Sequence, residues 1–392
     1  VATGIYGGQC VEQHSVYIFD RGGMLRIAQL LDVSSITWRR DRDGVSEADV
    51  RIEGSACSAQ AKILAAIEPM RSEMVIFRGN ERVWEGPVWR VGWHSTWVEV
   101  NAHDVAQYLF GTPLSKAYDN RYRADHDADG NPTHIYTQPT EVLNRIKNIL
   151  DYEMDVWEAL SPPINVMPHV VYHHSAGEPK TTSYTKPYEM TVGEHIAHLA
   201  HYSGIDYTTV GRAIHFWDVD QHLGQTRALT DNDFFSEVII TAYGADLTTR
   251  AIVISEDGAY GDAIGTTPGE IAGRAYYGPW TSIHTSFNEN GTDAPTQGEL
   301  DSQAQRALAG RNPVPVEVRV PDGSGIRLNE TLTIHDMVPG TKMPVLATLN
   351  ARQMSQMQKL DFLVVTETPD GETIQVTLTP TTHHDEPEDP DE

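Results

Sequence analysis

Residues 81–100 read ERVWEGPVWRVGWHSTWVEV and carry four of the chain's eight tryptophans, Trp84, Trp89, Trp93 and Trp97. Apolar residues recur at every second position, the period of a strand with one buried face. A two-residue turn at His94-Ser95 sets Trp93 opposite Thr96, Val91 opposite Val98 and Trp89 opposite Val100. One face then gathers Trp89, Val91, Trp93, Val98, Val100 and Ala102. The other holds Arg90, Gly92, Glu99 and Asn101, with Trp97 across from Gly92. The stretch predicts a hairpin with Trp89 and Trp93 in the core and Trp84 and Trp97 exposed. An exposed tryptophan suits a protein interface or a sugar site. Interfaces favour it more generally, so Trp84 and Trp97 are the candidate interface residues.

The flanks extend the pattern. Residues 74–77 and 81–84 are β-rich and surround Arg78-Gly79-Asn80, with Gly79-Asn80 as the hairpin turn. Asp104 is placed to cap a short helix, DVAQYLF, that Gly111-Thr112-Pro113 stops. Residues 111–224 are richer in Tyr, His and Pro. They predict a helix near 140–150 with Val142, Leu143, Ile146, Ile149 and Leu150 on one face. A second helix opens at the capping box Thr191-Val192-Gly193-Glu194 and ends at Gly204. The strands IDYTTV and AIHFWD follow, with Gly211 between them.

The last region returns to β structure. A helix from the capping box Thr296-Gln297-Gly298-Glu299 aligns Leu300, Ala304, Ala307 and Leu308, and ends at Gly310 and Pro313. The strand VPVEVRVP alternates Val314, Val316, Val318 and Val320. A closing hairpin joins DFLVVTET to ETIQVTLT through Pro369-Asp370-Gly371, with Ile374, Val376 and Leu378 inward. The Gly- and Thr-rich stretch 256–295 reads as a long loop where a partner docks. Residues 381–392 read as a disordered acidic tail.

Composition bounds the function. The chain has 392 residues, 40% hydrophobic and 21% charged, which predicts a soluble globular protein of two or three domains. No run approaches the ~18 apolar residues of a membrane span. The N-terminus, VATGIYGGQC, lacks the basic-then-apolar pattern of a signal peptide. Cys10 and Cys57 are too few for a disulfide framework and read as buried free thiols. The formal charge is −26, and the terminal run HHDEPEDPDE contributes only six of those acids. A chain this acidic is poorly suited to grip nucleic acid or an anionic membrane. It still allows DNA to pass, because an acidic wall repels phosphate and does not trap it.

Motifs for chemistry are sparse. Asp125-His126-Asp127-Ala128-Asp129-Gly130 matches the first half of a calcium loop, with Asp125, Asp127 and Asp129 as candidate metal ligands. Position 12, where a bidentate Glu belongs, is Tyr136, so a weak site competes with an acidic surface turn. His169, His173, His174, His195, His198 and His201 crowd the middle region. The last three fall at i, i+3 and i+6 of a helix, His195 on the flank of its buried stripe and the others turned outward. A solvated face fits that spacing better than converging zinc ligands. There is no GxSxG, no Walker loop and no HExxH. The reading is of a protein that is not an enzyme and needs no cofactor.

The order of features resembles a known family. SSITWRRDRDGVSEADVRI, the turn IEPMRSEM (residues 67–74), IFRGNERVWEGPVWRV and EVNAHDVAQYL together resemble minor tail proteins of phages infecting mycobacteria and related actinobacteria. More broadly they are similar to the siphophage tail-tip hub family. HDMVPGTKMPVL, followed by the closing hairpin, resembles the second tube-like domain of such hubs. The resemblance is specific around residues 35–110 and 300–380, and covers the rest only as an order of elements. It implies an α+β, mainly β fold: two β-barrel-like tube domains, at 1–110 and 225–380, separated by an inserted mixed α/β domain at 111–224. It implies a homotrimer at the virion tail tip, assembled in the bacterial host cytoplasm. Its six tube domains would adapt the sixfold tail tube, through a distal tail protein ring, to a threefold tip. Further partners would be the tape-measure protein and other minor tail proteins or a central fibre, with DNA only as passing cargo. Trp84, Trp97, the 256–295 stretch and the acidic tail are then the expected interface carriers. The rival readings are a distal tail protein hexamer and a tail-tip module that binds cell-wall glycans.

Overall fold

The computed structural model describes residues 5–6, 9–10, 13–53, 58–116, 118, 121–126, 132–137, 140–174, 179–180, 190–219, 221–255, 258–286, 297–312, 314–350 and 352–381. The fold is mainly β with a few helices, as the sequence predicts. No helix among the described residues is long and apolar enough to cross a membrane. The chain divides into two compact units. One comprises Val1–Gln225, Asp322–Lys342 and Leu360–Leu378, and the other Thr226–Pro321, Met343–Lys359 and Thr379–Glu392.

The first unit is built on one continuous path of paired strands. It runs from Arg26–Gln29 through His14–Phe19 and Glu73–Arg78 to Glu81–Trp93, then Trp97–His103, Glu47–Glu53 and Val33–Asp41. Residues 362–367 pair antiparallel with Val33–Asp41, and Gly371–Pro380 with its partner Ser324–Gly325 forms a branch off the path. The barrel-like closure expected from the resemblance is absent among the described residues. The path is open at Arg26–Gln29, which among the described residues pairs only with His14–Phe19. Alternation explains the core: Val16 and Ile18, Ile36 and Trp38, Val50 and Ile52, Val98 and Val100 are all buried. The closing hairpin turns at Gly371, and Ile374, Val376 and Leu378 face inward as expected. Arg40 is buried in this core, donating to the Val83, Ile334 and Met337 carbonyls. Burial without a carboxylate lowers its pKa to about 10.

The hydrophobic core of residues 111–224 is shared with Val105, Ala106, Tyr108 and Leu109, and the region falls in the same compact unit as residues 1–110. The helix Val142–Glu158 buries Val142, Leu143, Ile146, Ile149 and Leu150, the predicted face. The helix Val192–Ser203 has both bonds of the Thr191/Glu194 capping box and ends on a left-handed Gly204. Ile205–Val210 and Ala213–Asp218 form the expected hairpin, and Val171–His174 adds a parallel third strand. The Asp104 side chain accepts from the Ala106 N–H, but the helix that follows is only Gln107–Phe110.

In the second unit, Arg250–Ile254 lies between Tyr260–Ile264, antiparallel, and Thr281–Thr285, parallel. One face of this sheet is covered by the helix Gln297–Leu308, whose Leu300, Ala304, Ala307 and Leu308 are buried with Ala251, Val253 and Ala263. The helix comes so close that a Cβ on Gly261 would sit 2.2 Å from the Leu300 carbonyl oxygen. The stretch 256–295, expected as a loop, carries two strands and the helix Pro268–Tyr277 in its described part. Its signal was present in the sequence: Thr267-Pro268-Gly269-Glu270 is a capping box with proline at the first helical position. Ile239–Ala242 pairs with Val316–Arg319, a shorter strand than the valine alternation predicts.

Candidate assembly surface

The tryptophan strand Glu81–Trp93 is shared by two halves of the sheet. Its first half pairs with Glu73–Arg78 and its second with Trp97–His103. A β-bulge separates them: Val88 faces Ala102, but Arg90 faces Asn101, so Trp89 is the extra residue. The loop is also longer than a two-residue turn. Trp93 pairs with Val98 and Val91 with Val100, a shift of two from the expected register.

Three tryptophans differ in burial from the expectation. Trp84 is 3% exposed, because both faces of the strand's first half are covered and residues 83–88 are all buried. It is therefore no exposed surface residue of this chain. Trp89 is 46% exposed: the bulge turns it to the polar face, where it stacks on His103 at 4.9 Å. Trp93 is 58% exposed. It keeps the core-side parity of Val98 but sits at the strand's end, past the partner strand that covers the first half. Trp97 is half-buried, with His94 stacked on it at 3.6 Å and the Arg51 guanidinium 4.5 Å from its ring centre.

The polar face of this sheet is a ladder of committed charges. Arg39 meets Asp41 at 3.0 Å and Glu47 at 3.6 Å, Arg51 meets Glu53 at 3.2 Å, and Arg90 meets Glu99 at 2.9 Å. Asn101 donates to Asp49, and His103 bonds to Gln107. Five carboxylates against three guanidiniums leave the face acidic, with each guanidinium held by a carboxylate. Such a face repels phosphate. At its margin two acids surround Ser46, whose N–H donates to Asp104 and whose hydroxyl accepts from the Asp41 N–H. Burial raises both carboxyls to about 6.

Behind the sheet a buried ionic cluster joins it to the middle region. Glu73 accepts from the Gly22 N–H at 2.8 Å, the Tyr108 hydroxyl at 2.5 Å and Arg212 at 2.6 Å. Arg212 also reaches Glu85 at 3.3 Å and the Pro168 carbonyl at 2.5 Å. None of these residues was singled out in the sequence, since charges 139 positions apart carry no local signature of their meeting.

The candidate metal ligands are only partly described. Asp125 lies in the strand Arg121–His126, opposite His134. Asp127 and Asp129 lie outside the described residues. Among the described residues, no group of three or more His, Cys, Asp or Glu is arranged to hold a metal ion. His195 is buried against Tyr118, where the sequence predicts a flanking position. Burial lowers its pKa to about 4. His173 stacks on His215, and His174 lies near Asn144. The Cys10 side chain and Cys57 lie outside the described residues.

No protein-family model matches the sequence, and no curated protein matches it. Solved structures do match by fold. The 43 kDa tail protein of prophage MuSo2 from Shewanella oneidensis superposes with a TM-score of 0.56 at 12% identity, over 94% of this chain and 97% of that one. The tail protein from Neisseria meningitidis MC58 gives 0.51 at 11%, over 93% and 96%. The prophage tail protein gp18 from Listeria monocytogenes EGD-e gives 0.51 at 9%, over 93% and 94%. The chain thus has, nearly end to end, the fold of phage tail proteins.

Proposed function

We propose that the chain is a structural protein of a phage tail and, within the tail, the trimeric hub of the tip. The observation that carries this reading is the likeness in fold to phage tail proteins along almost the whole of both chains. The acidic, charge-committed face of the first unit supports a wall that DNA can pass without being held. In this reading three copies adapt the sixfold tube to a threefold tip. They contact a distal tail protein ring and a central fibre or other minor tail proteins, and gate the tape-measure protein and DNA. The protein's place is the virion tail tip of a siphophage, after assembly in the host cytoplasm, and its role is structural rather than catalytic. The three domains at 1–110, 111–224 and 225–380 remain the proposed division of labour. Trp97 is the retained interface residue.

Mass photometry of the purified chain, with negative-stain averages of the same sample, tests this. A species of three chain masses seen as a ring with a central hole is the expected result. A sixfold ring would replace the hub by a distal tail protein. Clean monomers that bind cell-wall glycans would replace it by a binding module, a reading the stacked, half-buried Trp97 and the buried Trp84 disfavour.

A further inference from the structure

The first unit exposes two strand edges that nothing in the described chain covers. The first is the end of the tryptophan strand. Its partner Glu73–Arg78 stops at Pro87, and the last backbone bonds on that side join Val88 to Met70 and Ser72. The His94 N–H bonds to the Trp97 carbonyl, which fixes the alternation beyond. Residues 90 and 92 bond to the neighbouring strand, so Val91 and Trp93 turn their N–H and C=O groups outward. The second edge is Arg26–Gln29, the end of the sheet path. Leu30 bonds to Val16, so Gln29, opposite Tyr17, faces outward in the same way.

Natural sheets blunt an exposed edge with lysine, proline, an inward charge, a short strand or a β-bulge. Both edges are short and lie at a bulge, Trp89 in one and Ile27 in the other, but neither has the remaining devices. Neither WRVGW nor RIAQ contains lysine or proline. Arg90 is committed to Glu99 on the polar face, and Arg26 lies 5.4 Å over the Tyr17 ring. Apolar side chains flank them instead: Trp89 and Trp93 at the first edge, and Met24, Leu25, Ile27 and Leu31, each 48–70% exposed, at the second.

We infer that these two edges pair with each other between copies of the chain. The Val91–Trp93 edge of one copy adds to the Arg26–Gln29 edge of the next. Two different patches meet, so the contact is heterologous, and repetition closes a ring or runs on as a filament. The backbone groups supply hydrogen bonds and the apolar residues form cross-strand pairs. At roughly 150–250 Å² per large side chain, the six flanking residues expose on the order of 600 Å². Only about 56–58% of an interface is apolar, so this corresponds to about 1,000 Å² in total, the low end for a specific contact. The copy number does not enter the argument, so the pairing stands apart from the hub reading.

The test places one lysine at either edge, Val91→Lys or Ile27→Lys, with Trp93→Arg as a second blocking variant of the first edge. Mass photometry gives assembly, and circular dichroism confirms the fold. Each variant is expected to shift the parent assembly to single copies at equal concentration. A cysteine pair, Val91→Cys with Ile27→Cys or Gln29→Cys, is expected to give disulfide-linked copies under oxidation only when both edges carry a cysteine. Folded lysine variants that assemble like the parent overturn the pairing, as does an assembled cysteine variant without cross-links. A parent that stays a single copy at every concentration overturns it too. A cross-linked assembly that is neither trimer nor ring would sink the hub reading and leave the pairing standing. A ring without the cross-link would do the reverse.

Discussion

Glu73 is the residue whose removal should cost the first unit most. Its carboxylate is fully buried and holds three donors from three parts of the chain: Gly22, Tyr108 and Arg212. In Glu73→Ala, Arg212 keeps only Glu85 as an ionic partner, while the Tyr108 hydroxyl and the Gly22 N–H lose theirs. Breaking a buried pair from one side costs about 3–5 kcal/mol. The two neutral donors fall in the range of about 1–3 kcal/mol each if left dry. The sum overstates the loss, because the cluster relaxes as a unit, so about 4 kcal/mol is expected. Arg212→Met should cost a similar amount at neutral pH, and the double variant clearly less than the two together, with a coupling of about 1.5–3 kcal/mol. The second signature is pH. Burial raises the Glu85 carboxyl, while Arg82 and Arg212 pull it back down. Without Arg212 its folded pKa rises further above the unfolded value. A raised acid contributes stability below its unfolded pKa and loses it as pH rises through the folded one. The Arg212→Met defect should therefore be small near pH 4 and grow toward pH 7. Urea unfolding followed by tryptophan fluorescence at both pH values measures each quantity. A Glu73→Ala cost below about 1 kcal/mol, or strict additivity with Arg212→Met, would refute a clamp between the sheet and the middle region.

Three further outcomes are expected. Asp104 is raised to about 6 by burial, so it favours the folded state below about pH 4, and that contribution is lost as pH rises to 6. The change is about 3 kcal/mol, and Asp104→Asn should flatten the stability slope between pH 4 and 6, whatever it does to absolute stability. A Cβ on Gly86 would lie 1.9 Å from the His103 carbonyl oxygen, against backbone that cannot step aside. Gly86→Ala should cost about 3 kcal/mol or more by thermal denaturation, whereas Gly224→Ala, with open space around it, should be near neutral. A weak calcium site at Asp125, Asp127 and Asp129 should give calorimetric heat only at millimolar calcium, lost in Asp127→Asn. Silence at that concentration removes the site.

The helices were legible because their signals are local. Val142, Leu143, Ile146, Ile149 and Leu150 report their own burial through a 3.6-residue period, and Thr191 meets Glu194 within one turn. The closing hairpin was legible for the same reason, with Gly371 between two alternating runs. The helix at Pro268–Tyr277 was equally readable in its capping box, but glycine and threonine content masked it. Helical spacing sets His195 on the flank of the buried stripe, because spacing alone cannot say how much of that flank Tyr118 covers.

The tryptophan strand fails differently. Period two holds beyond Trp89, but the first half carries a bulge of its own at Val83 and is buried on both faces. One inserted residue at Trp89 shifts the parity between the halves, so a single period across the whole strand assigns Trp89 to the wrong face. Nothing in PVWRV marks the insertion, because the bulge is set by which partner each half must reach. Glu73–Arg78 claims the first half and Trp97–His103 the second. The same division strips the strand's end of a neighbour on its outer side. The exposure of Trp89 and Trp93 and the open edge that they flank therefore both follow from the division of the strand between two partners. Trp89 and Trp93 are the large apolar side chains that the proposed edge pairing between copies would cover.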